Sequence, residues 1–110
     1  ILRRSKKSQT DTISFGQLTI DPASRTVVLH GQKINLPPKE FDLLLKLSQN
    51  ERVVLSREKL LQTVWGYHSY GDDRTVDTHI KSLREHLGQY RKLIQTVWGV
   101  GYKLEYTEEI

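Results

Sequence analysis

Apolar residues in the first third of the chain alternate with polar ones in four short runs. The runs cover residues 13–15, 18–20, 26–29 and 33–36. The residues between them favour turns and include Gly16, the Asp-Pro pair at 21–22 and the His-Gly pair at 30–31. Short alternating runs between such breakers are typical of antiparallel strands. The pattern therefore predicts a small antiparallel sheet of four strands.

Two helices are predicted next, because apolar positions begin to recur every three or four residues. The first opens at the prolines 37–38, since proline is tolerated in the first turn of a helix, and Phe41 begins its apolar face. The second begins after Ser56, whose hydroxyl can cap a helix N-terminus. It extends to about Trp65, and Gly66 ends it.

A third helix is predicted to begin near Arg74, after Asp72 or Asp73 as its cap, and it carries one narrow apolar stripe. The stripe recurs at i, i+4, i+7 and i+11 and consists of Val76, Ile80, Leu83 and Leu87. With about 100° per residue, the opposite side consists of Arg74, Thr78, Lys81, Ser82 and Glu85. The edges of that side are formed by Thr75 and His79 on one flank and by Asp77 and Arg84 on the other. A helix that is buried on one face and offers arginine, threonine, lysine and serine on the other suits the major groove of duplex DNA.

A hairpin is predicted after Gly88, which ends the third helix. Its strands cover residues 94–97 and 102–104, and the turn between them holds Trp98 beside Gly99 and Gly101. The glycines permit a tight turn. The predicted fold class is therefore α+β: a winged helix-turn-helix with an N-terminal four-stranded antiparallel sheet, three helices and a C-terminal β-hairpin wing.

The expected domain covers residues 13–106, a length that suits one domain with a single core. Residues 1–12 are basic and polar and are predicted to be a linker or a cloning remnant, and residues 107–110 form a short tail. No apolar run approaches the ~18 residues of a membrane helix, and the N-terminus lacks the apolar segment of a signal peptide. The chain has 0 cysteines, which excludes disulfides and thiolate metal sites and fits a reducing cytoplasm.

The net charge of +4 is unevenly distributed along the chain. The first ten residues hold four basic residues and no acid, and residues 74–103 hold six basic residues against two acids. A cationic segment in an otherwise neutral domain indicates a surface that faces a polyanion. Taken by itself, the positive charge fits a solvated helix face as well as it fits a surface that faces DNA. The charge therefore supports a DNA-facing helix only together with the apolar stripe.

The histidines and acids do not show the spacing of a catalytic or metal site. His79 and His86 are seven residues apart and lack the i, i+4 pairing typical of zinc ligands. Helix capping explains Asp72 and Asp73 better than a carboxylate pair does. The sequence also lacks a serine–histidine–acid order and a phosphate-binding glycine loop. We therefore expect no metal, no cofactor and no enzymatic activity.

Five stretches of the chain, taken in order, resemble the effector domain of OmpR/PhoB-type response regulators. They are LPPKEFDLL at 36–44, SREKLL at 56–61, VWG at 64–66, RTVDTHI at 74–80 and GVGY at 99–102. The resemblance covers residues 13–105. It implies a cytoplasmic bacterial transcription factor of a two-component phosphorelay, whose receiver domain is phosphorylated by a sensor histidine kinase and would precede residue 1. It also implies a head-to-tail homodimer on direct repeats of double-stranded DNA.

The resemblance also implies which residues contact partners. The third helix would enter the major groove, and the wing would reach the adjacent minor groove. Base-reading positions fall on Thr78 and Ser82, with Thr75 and His79 near them. Phosphate-contacting positions fall on Arg57, Trp65, Arg74, Lys81, Arg84, Thr96 and Tyr102. The loop before the third helix is implied to contact RNA polymerase, through Tyr67 and Tyr70.

Two positions depart from the family pattern. Many members have arginine at the wing tip, where this chain has Trp98, so a stacking or backbone contact with DNA is expected there instead. Many members carry arginine or lysine where Ser82 stands, so guanine reading by a long cation is not expected. Thr78 could touch a thymine methyl, and Ser82 is permissive between bases.

Two other functions stay open at the level of sequence. A winged helix could serve as a protein-interaction module without binding DNA, although it would not need a cationic helix face or a glycine-tipped wing. The same DNA-binding domain could also belong to a regulator that has no receiver domain.

Overall fold

The computed structural model describes residues 12–66 and 73–107 of the chain. The chain divides into two units, one that ends at Asn35 and one that begins at Leu36. Residues 1–11 of the predicted linker and the predicted polymerase-contact residues Tyr67 and Tyr70 lie outside the described residues.

The first unit is a four-stranded antiparallel sheet in the order β1-β2-β3-β4. The strands are β1 (Ile13–Phe15), β2 (Leu18–Asp21), β3 (Thr26–Leu29) and β4 (Gln32–Ile34). The predicted bounds of β1 and β3 are confirmed. The bounds 33–36 predicted for β4 are wrong at both ends, since the strand is Gln32–Ile34. Its early start is explained by the turn, which His30 and Gly31 form alone with φ of 54° and 79°. A two-residue turn with two positive φ angles pairs Leu29 directly with Gln32 and so starts the strand one residue earlier.

The described residues of the second unit form three α-helices. They are α1 (Pro38–Gln49), α2 (Arg57–Leu60), which continues as a π-helical segment (Leu61–Trp65), and α3 (Asp73–Leu87). The predicted cap at Ser56 is confirmed, because its hydroxyl accepts a hydrogen bond from the backbone N–H of Lys59 at 2.9 Å. Gly66 follows the π-helical segment with a φ of 107°, a conformation that favours glycine, and so ends the helix where predicted.

A three-stranded sheet in the order β5-β7-β6 completes the second unit. Its strands are β5 (Leu55–Ser56), β6 (Ile94–Val97) and β7 (Gly101–Leu104). The antiparallel pair β6–β7 is the predicted wing. Strand β5 and a 3-10 helix (Gly88–Leu93) after α3 were not predicted, and β7 begins one residue earlier than expected because Gly101 pairs with both Val97 and Ser56.

Leucines from α1 and the apolar stripe of α3 form a large part of the core of the second unit, together with apolar residues of the 3-10 helix and the wing. The predicted stripe is confirmed, since Val76, Ile80, Leu83 and Leu87 are all fully buried. Burial of the whole stripe leaves only the opposite face of α3 for contacts with another molecule. Within the described ranges, the longest helix has 15 residues, and none is apolar and long enough to cross a bilayer.

Candidate nucleic-acid interface

The face of α3 opposite the core is open to solvent and carries polar and charged side chains. Arg74, Thr78, Lys81 and Glu85 are exposed along it, and Ser82 is partly exposed. Because the stripe anchors the helix on the other side, these side chains project from a backbone that packing holds in place. The arrangement can present two cations and two hydroxyls to an anionic surface.

The wing presents a large aromatic side chain at its tip. Trp98 is 88% exposed, and Val100 beside it is 52% exposed. Gly99 has a φ of 80° and follows Trp98 in the turn that joins β6 to β7. An exposed tryptophan at the tip of a hairpin has ring surface available for stacking and an N–H that can donate a hydrogen bond.

A groove of about 450 Å³ lies between α3 and the wing. It brings together five of the predicted DNA-contacting side chains, namely Arg57, Arg84, Thr96, Trp98 and Tyr102. Asp77 of α3 also lines it, and that carboxylate was not among the predicted site residues. The groove therefore combines two guanidinium groups and one carboxylate with apolar and aromatic side chains of the wing.

Asp77 joins α2, α3 and the wing through its two oxygens. Arg57 Nη1 donates to Asp77 Oδ2 at 2.9 Å, and the Tyr102 hydroxyl donates to Asp77 Oδ1 at 2.7 Å. The pKa of Tyr102 is raised from 10.0 to about 12. Burial of the ring is the largest cause, and the hydrogen bond to Asp77 and the negative charge of that carboxylate add to it. The positive charges of Arg84 and Arg57 oppose this rise. The hydrogen bonds position Arg57 and Tyr102 before any ligand is bound.

The raised pKa of Tyr102 predicts a loss of stability at alkaline pH. The unfolded chain releases this proton near pH 10 and the folded chain near pH 12, so the stabilisation is complete below pH 10 and is lost as the pH rises through 12. In Tyr102→Phe this part of the pH dependence is expected to disappear. The measurement is the free energy of unfolding between pH 9 and 12, together with the tyrosinate absorbance. Superposable alkaline profiles of the two proteins would contradict the assignment.

Arg84 connects α3 to the first strand of the wing. Its Nε and Nη2 donate to the carbonyl of Ile94 at 3.1 and 2.9 Å, and Nη2 also donates to Thr96 Oγ1 at 2.8 Å. Its guanidinium carbon lies 5.6 Å from the centroid of the Tyr102 ring, within cation–π range. Arg84 and Thr96 were predicted as phosphate contacts, and the structure gives both of them hydrogen bonds within the protein.

Trp65 and His79 contact each other beside the exposed face of α3. Their ring centroids are 4.9 Å apart in an edge-on arrangement, and His79 Nδ1 lies 2.8 Å from the carbonyl oxygen of Thr75. Lys39 extends over the Trp65 ring at 5.8 Å from its centroid and donates to the carbonyl of Val64 at 3.0 Å. Trp65, Thr75 and His79 are half-buried, so each has some surface left for another molecule.

Ser82 is linked to a buried carboxylate that the sequence pattern did not identify. Its hydroxyl donates to Glu40 Oε2 at 2.6 Å, and His86 Nδ1 lies 2.7 Å from Glu40 Oε1. Glu40 is only 3% exposed. The sequence explains an acid early in α1 by the positive end of the helix, and no local signal shows that this one is buried against α3. Among the described residues there is no group of three or more histidines and acids that could hold a metal.

The chain is similar in sequence to transcriptional regulatory proteins. The family described as "Transcriptional regulatory protein, C terminal" matches residues 31–104. The protein named uncharacterized transcriptional regulatory protein YclJ of Bacillus subtilis (strain 168) is 50% identical over 112 residues, 96% of this chain and 49% of that protein. The chain thus spans about half the length of the curated relatives it matches.

Two solved structures have the same architecture. The response regulator DrrB of Thermotoga maritima, an OmpR/PhoB homolog, has a TM-score of 0.82 and 40% identity over 94% of this chain and 50% of its own. The DNA-binding domain of Klebsiella pneumoniae RstA in complex with the RstA box has a TM-score of 0.78 and 38% identity over 86% of this chain and 97% of its own. The predicted winged-helix fold is confirmed.

Proposed function

Because the chain belongs to the family of C-terminal domains of transcriptional regulatory proteins, we propose that it binds double-stranded DNA sequence-specifically as the effector domain of an OmpR/PhoB-type response regulator. The exposed polar face of α3, opposite a fully buried stripe, carries the proposal. Support also comes from the Klebsiella pneumoniae RstA domain, whose structure was solved in complex with the RstA box. We propose that α3 enters the major groove and the wing contacts the adjacent minor groove.

Four of the predicted contacts, all on the exposed face of α3, have a proposed role: two bind phosphates and two face bases. Arg74 and Lys81 bind phosphates, because they extend from the exposed face and an anionic backbone attracts such cations. Thr78 and Ser82 face base edges. The remaining contacts border these, and they are Arg57, Trp65, Thr75, His79, Trp98 and Tyr102. Phosphate contacts by Arg84 and Thr96 stay predictions, and the hydrogen bonds that Arg84 donates to Thr96 and to the Ile94 carbonyl support the wing.

The chain acts by binding, and we propose no catalytic role, metal or cofactor for it. For the whole protein, we propose a receiver domain phosphorylated by a sensor histidine kinase, a head-to-tail homodimer on direct repeats, and a location in the cytoplasm with bacterial DNA. We also propose that Tyr67 and Tyr70 contact RNA polymerase, since aromatic side chains are enriched at interface cores.

The salt dependence of DNA binding tests the role of the α3 face. Lys81→Ala is expected to lower the slope of log K against log salt by about one, because one phosphate fewer is neutralised. Lys92→Ala is the matched control, since Lys92 is also exposed but lies in the 3-10 helix after α3. Fluorescence anisotropy with a duplex obtained by selection from random sequences measures both slopes. Equal slopes in wild type and Lys81→Ala would remove Lys81 from the interface, and the absence of duplex binding by the wild type would overturn the proposed function.

A further inference from the structure

The carboxylate of Glu40 is buried in the second unit and makes two hydrogen bonds to α3. It is 3% exposed, and its oxygens lie 2.6 Å from Ser82 Oγ and 2.7 Å from His86 Nδ1. Both oxygens therefore have a partner on α3, one turn of helix apart. Two partners on one rigid helix hold the plane of the carboxylate in a single orientation.

The hydrogen bond to Glu40 decides how the Ser82 hydroxyl can interact with a third group. A serine hydroxyl has one proton and two lone pairs, and a carboxylate can only accept. The proton of Ser82 is therefore directed at Glu40 Oε2, and a short, charge-assisted bond of this kind is about twice as strong as a neutral one. Ser82 is partly exposed as a residue, and with its proton engaged its oxygen can offer a further partner only lone pairs. Ser82 is thus an acceptor toward its surroundings.

The exposed polar face of α3, here called the reading face, consists of Arg74, Thr78, Lys81, Ser82 and Glu85. A hydrogen-bond acceptor on it distinguishes bases by the donors and acceptors that their edges present in the major groove. Cytosine and adenine present amino groups there, which donate, at N4 and N6 respectively. Guanine presents N7 and O6 and thymine presents O4, and these atoms only accept. An isolated serine can satisfy either kind of group by rotating its hydroxyl. A serine whose proton is already bound to a carboxylate satisfies only the donors.

We propose that Glu40, although it lies away from the reading face, sets the base preference at the position Ser82 contacts, in favour of cytosine or adenine. The inference rests on the proposed function, because it requires α3 to lie in the major groove. From sequence, Ser82 is expected to accept several bases. The hydrogen bond to Glu40 instead limits it to bases that present a donor. Glu40 acts here as a positioning residue that contacts no DNA, through a hydrogen bond that spans 42 positions of the chain.

The first experiment measures base preference at the position read by Ser82. Sites are selected from random duplexes with wild type and with Ser82→Ala, and the position whose preference changes is then varied through all four bases. Wild type is expected to bind the cytosine or adenine duplex about fivefold more tightly than the guanine or thymine duplex, the effect of one net hydrogen bond. Ser82→Ala is expected to bind all four within about twofold. A wild-type preference for guanine or thymine at that position would overturn the proposal.

The second experiment distinguishes the effect of Glu40 on base preference from the effect of Ser82. Glu40→Met keeps a similar length and removes both acceptors, so the Ser82 hydroxyl becomes free to rotate and the fivefold ratio is expected to fall toward one. The same change in a Ser82→Ala background is expected to leave the ratios as they are. Glu58→Gln is the control, because it neutralises an exposed acid of α2. An unchanged ratio in Glu40→Met would show that Glu40 does not direct Ser82.

A replacement variant covers the case in which Glu40→Met does not fold, and the selected sites distinguish failure of this inference from failure of the proposed function. If Glu40→Met melts well below the assay temperature, Glu40→Gln replaces it, and its amide is expected to weaken the ratio because the charge-assisted bond is lost. If wild type selects a defined site and Ser82→Ala changes no position in it, this inference fails while the proposed function stands. If wild type selects no site and binds no duplex, the proposed function itself fails.

Discussion

Gly101→Ala is expected to destabilise the second unit by about 3 kcal/mol or more, the range in which overpacking against atoms that cannot move is found. Gly101 lies where β7 pairs with β5 in the antiparallel sheet, and its pairing partner is Ser56. A methyl group at this position would collide with the carbonyl oxygen of Leu55 and lie 2.8 Å from the Cα of Ser56. Both neighbours are backbone atoms, so the steric overlap can be removed only if β5 moves away from the wing.

The matched control for Gly101→Ala is Gly99→Ala in the same hairpin. Gly99 has a φ of 80° and no atom within 4 Å of an added methyl group, so its cost is backbone strain alone, about 1 kcal/mol. Thermal unfolding followed by circular dichroism measures both variants, and Gly101→Ala is expected to melt roughly 12 °C or more below wild type. Equal shifts in the two variants would mean that close approach to β5 is not what requires glycine at 101.

Arg84→Ala is expected to lower stability by about 2–3 kcal/mol and to weaken DNA binding through the wing. The substitution removes charge-assisted hydrogen bonds to the Ile94 carbonyl and the Thr96 hydroxyl, each of the kind worth about 1.5–3 kcal/mol before relaxation. It also removes the guanidinium beside the Tyr102 ring. Since these contacts join α3 to the wing, both the unfolding free energy and the affinity for a selected duplex are expected to fall.

Arg84→Lys separates this structural role from a phosphate contact. Lysine keeps the charge but lacks the planar fork that reaches a carbonyl and a hydroxyl together, so it is expected to recover less than half of the lost stability. Denaturant unfolding and duplex affinity are measured for both variants beside Lys81→Ala, whose stability is expected to stay within about 0.5 kcal/mol of wild type. A loss of affinity without loss of stability in Arg84→Ala would favour the phosphate contact instead.

Local chemistry along the chain determined most of the secondary structure. The bounds of β1 and β3, the cap at Ser56 and the end of the helix at Gly66 depend on neighbours within a few residues, so the sequence contains the whole signal. The apolar stripe of α3 is equally local, because a period of 3.6 residues selects one face. Once the stripe is buried, the exposed cationic face follows. The family resemblance depends on five stretches of sequence, and the match of residues 31–104 to the family supports it.

Contacts between residues that are distant in sequence were decided only by the tertiary structure. Strand β5 has two residues, too few for any alternating pattern, and it exists because Gly101 lets β7 approach it. Asp77 appeared at the edge of a helix face, and only packing of the wing showed that its oxygens bind Arg57 and Tyr102.

On the reading face, the sequence determines which side chains point outward, and the tertiary structure determines their hydrogen bonds. The sequence placed Ser82 on the polar side of α3, because the direction of a side chain around a helix follows from its position alone. The direction of its hydroxyl proton depends on Glu40, which lies on α1 and meets Ser82 only when the two helices pack. Periodicity therefore determined which residues face outward. Tertiary packing, which sets the atoms within about 3 Å of each polar group, determined which hydrogen bonds those residues have left to offer.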